Sequence, residues 1–378
     1  IICDEAHRTT GATHDSDDDS NFVKIHNSEF IFGKKRLYMT ATPRIFSDDV
    51  KEDSNEYKLY SMDNEELFGK TLYTINFSEA VNLGLLVDYK VIVLTVDSET
   101  IIDKIGSTIT ENSEILVDDA ARIVGCWKAL SKQGIHADVQ GDTNPMQRAL
   151  AFCQVIDPSE KARKHQVSST RIANIFQTVV EAYQEAEANE GNEISHHLIC
   201  EAQHVDGAMG ADKKEQKLNW LKATPPKKYD ENGIERPTCR ILSNVRCLSE
   251  GVNVPALDAV LFLTPRNSQV DVVQSVGRVM RTVKDPITGE SLKQKGYVIL
   301  PVVIPPGVEP HKALDDNQIY KVVWQVLNAL RSHDDRFDAM INKMDLTGID
   351  KSKMEVIAIT DKVAAKEKKK GAGKGGQT

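Results

Sequence analysis

Short apolar segments alternate with amphipathic segments along most of the chain. Runs of apolar and β-branched residues predict strands at residues 1–3, 35–39, 89–96, 149–156, 198–205, 239–243, 259–264 and 296–303. Apolar residues at helical spacing predict helices between many of these strands, at about residues 117–132, 170–190, 213–222, 269–281 and 316–333. Strands joined by helices pair in parallel, so the alternation predicts an α/β fold with a parallel sheet and helices on both faces.

Changes in this pattern predict four parts of the chain. Residues 1–90 form the first part, and residues 91–305 form a second domain with a poorly patterned insertion at about 98–147. Residues 306–360 are expected to form a helical linker. The Lys- and Gly-rich residues 361–378 are expected to form a disordered tail rather than a DNA-binding arm.

Polar side chains follow the first two predicted strands. Asp4, Glu5 and His7 come directly after it, and parallel sheets bind ligands at the carboxyl ends of their strands. Aspartate can hold Mg²⁺ through water, and the neighbouring glutamate can then orient or deprotonate an attacking water. The second predicted strand ends at Thr40 and Thr42, whose hydroxyl groups we expect to contact the first strand end. Taken alone, the two carboxylates also fit an ordinary surface pair at a helix start.

Two later segments offer groups that suit a nucleotide. Gly251 allows a close backbone approach and Asn253 offers a polar group for a ribose or a water, although a plain loop fits equally well. Arg278 and Arg281 follow Gly277 on a predicted helix, and their spacing of three predicts that their guanidinium groups point in one direction. Such a pair suits a phosphate whose charge grows in the transition state. Two surface arginines without a ligand are the alternative.

Composition narrows the partners and the compartment. The net charge of −9 gives no basic footprint over the whole chain, so any DNA contact has to come from a local surface. The six cysteines lack a Cys-x-x-Cys pair, which predicts buried, reduced thiols and no zinc site. We find no signal peptide and no apolar run long enough to span a membrane, and we therefore expect a cytoplasmic protein.

The motifs together resemble a known family. In their order and separation they are similar to motifs II, III, V and VI of superfamily 2 helicases and translocases, over roughly residues 1–305. Finer features resemble the motor part of type ISP restriction–modification enzymes, with the type I and type III motors as near relatives. These features are Asp4-Glu5-Ala6-His7 with the following Arg8-Thr9-Thr10-Gly11, the segments 36–44, 247–251 and 254–258, the motif Gln274-x-x-Gly277-Arg278-x-x-Arg281, and the helical segment 322–327.

The resemblance implies a fold, cofactors and a partner. The implied fold is a pair of tandem RecA-like parallel-sheet domains, the first truncated at its N-terminus, followed by the helical linker. The implied cofactors are ATP and Mg²⁺, and the implied partner is double-stranded DNA. Asp4 would hold Mg²⁺, Glu5 would act on the water, and Arg278 and Arg281 would meet the γ-phosphate. The remaining implied roles are coupling of hydrolysis to movement for His7, Thr40, Thr42 and Gln274, and nucleotide binding for Gly251, Asn253 and Gly277.

Two sets of contacts are less closely tied to the family pattern. The family usually has Asp at the position of Asn253, so this contact is expected to be weaker or different here. Ser243, Asn244 and Arg246 are candidate contacts to the DNA backbone, because such side chains commonly bond to phosphate oxygens.

A phosphate loop of the form Gly-x-x-x-x-Gly-Lys-Ser/Thr does not occur in the sequence. In the family this loop precedes the Asp-Glu-Ala-His strand and a nuclease lies further upstream, while methyltransferase and target-recognition parts follow the motor. We therefore expect a longer polypeptide that contains these parts. We also expect that the present residues by themselves do not hydrolyse ATP.

Three functions remain open at this point. The first is an ATP-driven DNA translocase of a restriction–modification enzyme, and the second is a non-catalytic DNA-binding remnant of such a motor. The third is another superfamily 2 DNA or RNA helicase, acting in repair or defence. An intact phosphate loop upstream favours the first, a true start near Ile1 favours the second, and duplex unwinding favours the third.

Overall fold

The computed structural model describes most of the chain in two compact units. The described residues are 1–13, 22–46, 58–135, 142–157, 166–192, 194, 197–248, 257–266, 268–285, 287–289, 291–304, 320–339 and 353–359. One unit spans Ile1–Ile75 and the other spans Asn76–Thr378. The helices in the described part of the chain all lack an apolar stretch of the length that a lipid bilayer requires.

The first unit contains two small sheets. Its strands are β1 (Ile2–Cys3), β2 (Gly11–Thr13), β3 (Leu37–Tyr38) and β4 (Lys58–Tyr60), and its one described α-helix is α1 (Glu65–Phe68). Strands β1 and β3 pair in parallel, with Ile2 opposite Leu37 and Cys3 opposite Tyr38. Strands β2 and β4 pair in antiparallel orientation. The predicted parallel arrangement of the first two apolar segments is therefore present, although each strand is shorter than its apolar run.

The second unit is built on a seven-stranded sheet with all neighbours parallel. Its strands, in chain order, are β5 (Asp88–Asp97), β6 (Arg148–Phe152), β7 (Ile199–His204), β10 (Thr238–Asn244), β11 (Ala259–Phe262), β12 (Lys295–Ile304) and β13 (Met354–Ile359), and a separate hairpin consists of β8 (Lys228–Tyr229) and β9 (Glu235–Arg236). The order across the sheet is β13-β5-β12-β11-β6-β10-β7. This arrangement confirms the predicted α/β fold with a parallel sheet.

Helices cover both faces of this sheet, and the alternation of side chains along the strands explains why. The helices are α2 (Phe77–Asn82), α3 (Ser98–Glu111), α4 (Val117–Leu130), α5 (Ser169–Asn189), α6 (Ala211–Lys222), α7 (Gln269–Val279) and α8 (Lys321–Arg331). In β5, Ile92 and Leu94 belong to the cluster that packs under α3, α4 and α5, while Val91 and Val93 belong to the cluster under α6, α7 and α8. Because successive strand residues point to opposite faces, an apolar strand buries both faces of the sheet.

The boundary between the units lies between Ile75 and Asn76, earlier than the predicted boundary near residue 90. The segment that follows it is tied to the second unit by backbone hydrogen bonds. Phe77 N donates to His333 O at 3.0 Å, and Val87 N donates to Met280 O at 2.7 Å. The sequence of residues 76–87 did not predict these long-range hydrogen bonds.

Residues 98–147 differ from the predicted insertion. Helices α3 and α4 lie on the sheet, and Trp127 is fully buried in the cluster beneath α4 and α5. A Cβ atom added at Gly125 would lie 3.2 Å from Val96 Cγ2 and 3.3 Å from Pro301 Cβ. Glycine therefore allows α4 to approach the sheet closely, and this segment is part of the core rather than an appendage.

Residues 306–360 also differ from a separate helical linker. Helix α8 packs against α7 and contributes apolar side chains to the same buried cluster. Strand β13, which the sequence pattern did not predict, pairs with β5 at one edge of the sheet. The buried ion pair between Lys90 and Glu355, at 2.9 Å, joins the two strands. The described parts of this segment therefore complete the second unit.

A buried ion pair connects α4 and α5. Arg171 Nε donates to Asp119 Oδ2 at 2.7 Å, and only 6% and 3% of the two side chains are exposed. Asp119→Ala would leave the Arg171 charge buried without this carboxylate, so we expect a loss of about 3–5 kcal/mol in the free energy of unfolding. Denaturant unfolding of the full chain measures it. The exposed neighbour Asp118 is the control, and equal losses for Asp118→Ala and Asp119→Ala would contradict the prediction.

Candidate functional site

The carboxyl ends of β1 and β3 meet in the first unit and bring two predicted motifs together. Met39 N donates to Cys3 O at 2.9 Å, and Ala6 N donates to Met39 O at 2.9 Å. These bonds extend the pairing of the strands beyond their ends. The residues after β1 therefore lie beside the residues after β3, where the sequence predicted a contact between them.

Glu5 occupies an unusual backbone conformation at this strand end. Its φ of 50° and ψ of 45° lie in the left-handed region, which non-glycine residues adopt at a cost. Among the described residues, Lys132 is the one other non-glycine residue with positive φ. The turn at Glu5 ends β1 abruptly and leaves 41% of the glutamate side chain exposed. Strain of this kind is typical of functional positions.

His7 connects the two motifs through its ring. Its Nδ1 atom lies 3.0 Å from Thr40 Oγ1, 3.4 Å from Thr42 Oγ1 and 3.4 Å from Glu5 Oε2. Thr42 N donates to Thr40 Oγ1 at 3.1 Å, which holds the two threonines in place. The Nδ1 atom of the buried His7 ring thus faces the Glu5 carboxylate and two hydroxyl groups together.

Burial also sets the charge of His7. It lowers the pKa of the imidazole below its ordinary value, while the nearby Glu5 carboxylate acts in the opposite direction. A neutral ring near pH 7 can accept one hydrogen bond and donate another. Because Glu5, Thr40 and Thr42 all face the same Nδ1 atom, they compete for the hydrogen bond of this atom, so His7 is suited to exchange its bond between Glu5 and the threonines.

Asp4 and Glu5 fit a Mg²⁺ ion that arrives with a nucleotide. Asp4 is exposed, and its Oδ1 accepts a hydrogen bond from Glu5 N at 2.9 Å. Within the described part of the chain, no group of three or more His, Cys, Asp or Glu side chains could hold a metal ion. Mg²⁺ bound together with phosphates needs only one or two protein carboxylates, because phosphate oxygens and waters supply the other ligands.

The arginine motif of the second unit lies at the end of α7. Ser268 caps the start of this helix by accepting a hydrogen bond from Asp271 N at 3.2 Å. The helix ends at Val279, so Arg281 no longer follows its spacing. Arg278 is only 5% exposed, whereas Arg281 is exposed. Arg281 is therefore the one of the two whose side chain lies at the surface, and the predicted common direction of the two guanidinium groups stays a prediction.

The remaining predicted nucleotide and coupling residues lie partly within and partly outside the described residues. Gln274 and Gly277 lie on α7 and are half-buried, and Gly277 is close to Phe77. Gly251 and Asn253 lie outside the described residues. The roles assigned to all four stay predictions.

The three candidate DNA contacts are not equally exposed. Asn244 is fully buried, and its Nδ2 donates to Ala151 O at 3.2 Å. Ser243 is also fully buried, and its hydroxyl donates to Ser169 O at 2.8 Å. Arg246 is exposed just after the same strand. Arg246 is therefore the one of the three whose side chain lies at the surface.

A polar cluster next to Ser243 was missed by sequence reasoning. Ser169 Oγ lies 2.7 Å from His204 Nδ1 and donates to Ser243 Oγ at 2.9 Å, and His204 Nε2 lies 3.0 Å from Asp206 Oδ2. The chain of hydroxyl, imidazole and carboxylate resembles a nucleophile relay, but the Ser169 side chain is fully buried and committed to internal bonds. We interpret the cluster as a structural hydrogen-bond network that joins the start of α5 to the ends of β7 and β10.

Comparison with known proteins identifies the class of this fold. The family model for the helicase conserved C-terminal domain matches residues 162–283, which include α7 and its arginine motif. No curated protein sequence matches the chain. Residues 162–283 are therefore a helicase C-terminal domain like that of superfamily 2 motors, and the parallel sheet of the second unit is that of a RecA-like helicase C-terminal domain.

Solved structures refine this assignment. The type ISP restriction–modification enzyme LlaBIII bound to DNA is 38% identical, with a TM-score of 0.71, over 98% of this chain and 22% of that one. A nuclease-deletion mutant of the type ISP enzyme LlaGI, in complex with a DNA substrate mimic, is 30% identical over 100% of this chain and 20% of that one, with a TM-score of 0.49. The chain thus spans about a fifth of the length of these enzymes. The resemblance to the type ISP motor is confirmed.

Proposed function

We propose that the chain is the motor segment of an ATP-dependent translocase that moves along duplex DNA as part of a restriction–modification enzyme. The observation that carries this proposal is the contact of His7 with Thr40 at the joined ends of β1 and β3, beside the strained Glu5. The similarity to LlaBIII, which was solved with DNA, supports DNA as the partner.

In this proposal the first unit acts on the attacking water. Bound Mg²⁺ would neutralise phosphate charge, and Asp4 would hold the ion through water. Glu5 would orient the water and accept its proton. His7 would keep Glu5 in position. A change at Glu5 during hydrolysis would alter the contacts of His7 with Thr40 and Thr42, and these threonines would couple hydrolysis to movement.

The second unit would supply the positive charge for the reaction. Arg281, which is exposed beyond the end of α7, would bind the phosphate charge that develops in the transition state. Arg278, which is buried, would support this end of the helix. Gln274 would take part in coupling hydrolysis to movement, and the proposed nucleotide contacts are Gly251, Asn253 and Gly277. The two units would be parts of tandem RecA-like domains.

ATP hydrolysis in a longer polypeptide that contains a phosphate loop tests this function. We expect a rate that rises on addition of duplex DNA, together with displacement of a third strand from a DNA triplex without separation of the duplex strands. The present 378 residues alone should show no micromolar affinity for ATP by calorimetry. Unwinding of DNA or RNA duplexes would favour another superfamily 2 helicase, and DNA binding without hydrolysis would favour a non-catalytic remnant.

A further inference from the structure

Arg266 lies at the carboxyl edge of the large sheet, in the short connection between β11 and α7. Its guanidinium carbon is 4.6 Å from the centroid of the Phe152 ring, and Phe152 is the last residue of β6. The Phe152 ring stacks in turn on Phe262, the last residue of β11, with centroids 5.5 Å apart and an interplanar angle of 16°. The arginine is thus packed over the ends of two central strands, where parallel sheets bind their ligands.

Two of the three nitrogen atoms of this guanidinium group have no hydrogen-bond partner in the protein. Arg266 is only 9% exposed, and its Nε and Nη2 atoms are buried without a hydrogen-bond partner. Arg171 and Arg240 are buried to a similar degree, but they donate to carboxylates and to backbone carbonyls. A guanidinium keeps its charge at any physiological pH, so an unsatisfied buried one is costly unless a ligand completes it.

The charged surroundings of Arg266 favour an anion. Arg246 is a second cation near it, and the start of α7 adds the positive end of a helix dipole. Asp271 in the first turn of α7 is the carboxylate that acts on Arg266, and it offsets part of this charge. Burial raises the pKa of the nearby Cys153 thiol to about 12, so this group stays neutral. Positive charge therefore dominates this part of the sheet edge.

We propose that Arg266 binds a phosphate group, supplied either by a nucleic-acid backbone or by a nucleotide, at the carboxyl edge of β6 and β11. The planar fork of a guanidinium matches two phosphate oxygens. Since Nε and Nη2 are covered in this conformation and make no hydrogen bond, rotation of the side chain away from the Phe152 ring would break no hydrogen bond of these two atoms. The proposed motor function is used here only to name DNA and a nucleotide as the sources of the phosphate; the binding of a phosphate by Arg266 does not depend on it.

Binding of two probes tests this inference, measured in a longer polypeptide that contains a phosphate loop, because the present 378 residues alone are expected to bind ATP weakly. The probes are a fluorescent duplex DNA, followed by anisotropy over a salt series, and ATP. The variants are Arg266→Met, which keeps the length without the charge, and Arg266→Lys, which keeps the charge without the fork. Arg236→Met is the matched control, because Arg236 is half-buried on the β8–β9 hairpin and donates to His197 O at 3.2 Å.

We expect Arg266→Met to weaken binding of one probe at least tenfold, Arg266→Lys to weaken it less, and Arg236→Met to leave it unchanged. If the source is the DNA backbone, the DNA affinity falls and the slope of log affinity against log salt decreases by about 1. If the source is a nucleotide, the ATP affinity falls instead. Because Arg266→Met removes an unsatisfied buried charge, its Tm should equal or exceed that of the wild type.

Wild-type affinities for both probes in Arg266→Met would overturn this inference. A fall in its Tm by more than about 4 °C would also overturn it, because the arginine would then be structural. The proposed motor function is tested separately. If the protein hydrolyses ATP on DNA but the Arg266 variants bind both probes normally, only the phosphate site is refuted. If the protein binds DNA through Arg266 but does not hydrolyse ATP, only the motor function is refuted.

Discussion

Replacing Arg281 with alanine is expected to lower the rate of DNA-stimulated ATP hydrolysis by about 10³–10⁵-fold. Arg281 is exposed beyond the last residue of α7, so its removal disturbs little of the core. The expected loss arises because a guanidinium that meets the transferring phosphate stabilises charge that is largest in the transition state. The measurement is kcat at saturating DNA and ATP, in a polypeptide that contains a phosphate loop.

Two further variants make the Arg281 prediction specific. Arg281→Lys keeps the charge but loses the planar fork, and we expect it to recover only part of the rate. Arg236→Ala, at a half-buried arginine on the β8–β9 hairpin, should retain the wild-type rate. If Arg281→Ala lowered kcat less than tenfold, the arginine would not act on the transition state.

Replacing Glu5 with glutamine is expected to lower the same rate by about 10²–10⁴-fold. The amide keeps the size of the side chain and its distance to His7, but it cannot accept a proton from water. DNA binding should stay at the wild-type level, because the change leaves the fold of the strand end intact. Single-turnover hydrolysis and DNA anisotropy measure the two quantities.

The control for Glu5 is a carboxylate of the same unit that lies elsewhere. Glu29 is exposed in the first unit, and Glu29→Gln should hydrolyse ATP at the wild-type rate. A Glu5→Gln protein with more than a tenth of the wild-type rate would show that another group activates the water. An equal loss in both variants would point to a general effect of charge on the motor.

Much of the second unit follows from local patterns. The apolar runs of β5, β11 and β12 alternate between the two buried clusters, so their apolar character predicts strands that are covered on both faces. Helices α5 and α7 were predicted close to their observed bounds, because their apolar residues recur at helical spacing over several turns. Strand β13 escaped prediction because its place beside β5 depends on distant partners such as Lys90.

In the candidate site, too, some features could be predicted from the sequence and others could not. The spacing of Asp4, Glu5 and His7 after one strand, and of Thr40 and Thr42 after another, was enough to predict that they meet, and the parallel pairing of β1 with β3 brings His7 to Thr40. The exposure of each polar group could not be predicted. It depends on which elements pack over a side chain, and these elements are distant in the chain.

The sequence by itself determined the parallel α/β architecture, the superfamily and the motif residues, because periodicity and motif spacing are local properties of the chain. Tertiary structure alone decided that α3 and α4 belong to the core, and that Ser243 and Asn244 are buried while Arg246 is exposed. It also decided that Arg266 is packed over Phe152 without hydrogen bonds at Nε and Nη2. These properties arise from contacts between residues far apart in the chain, which set burial and hydrogen-bond satisfaction.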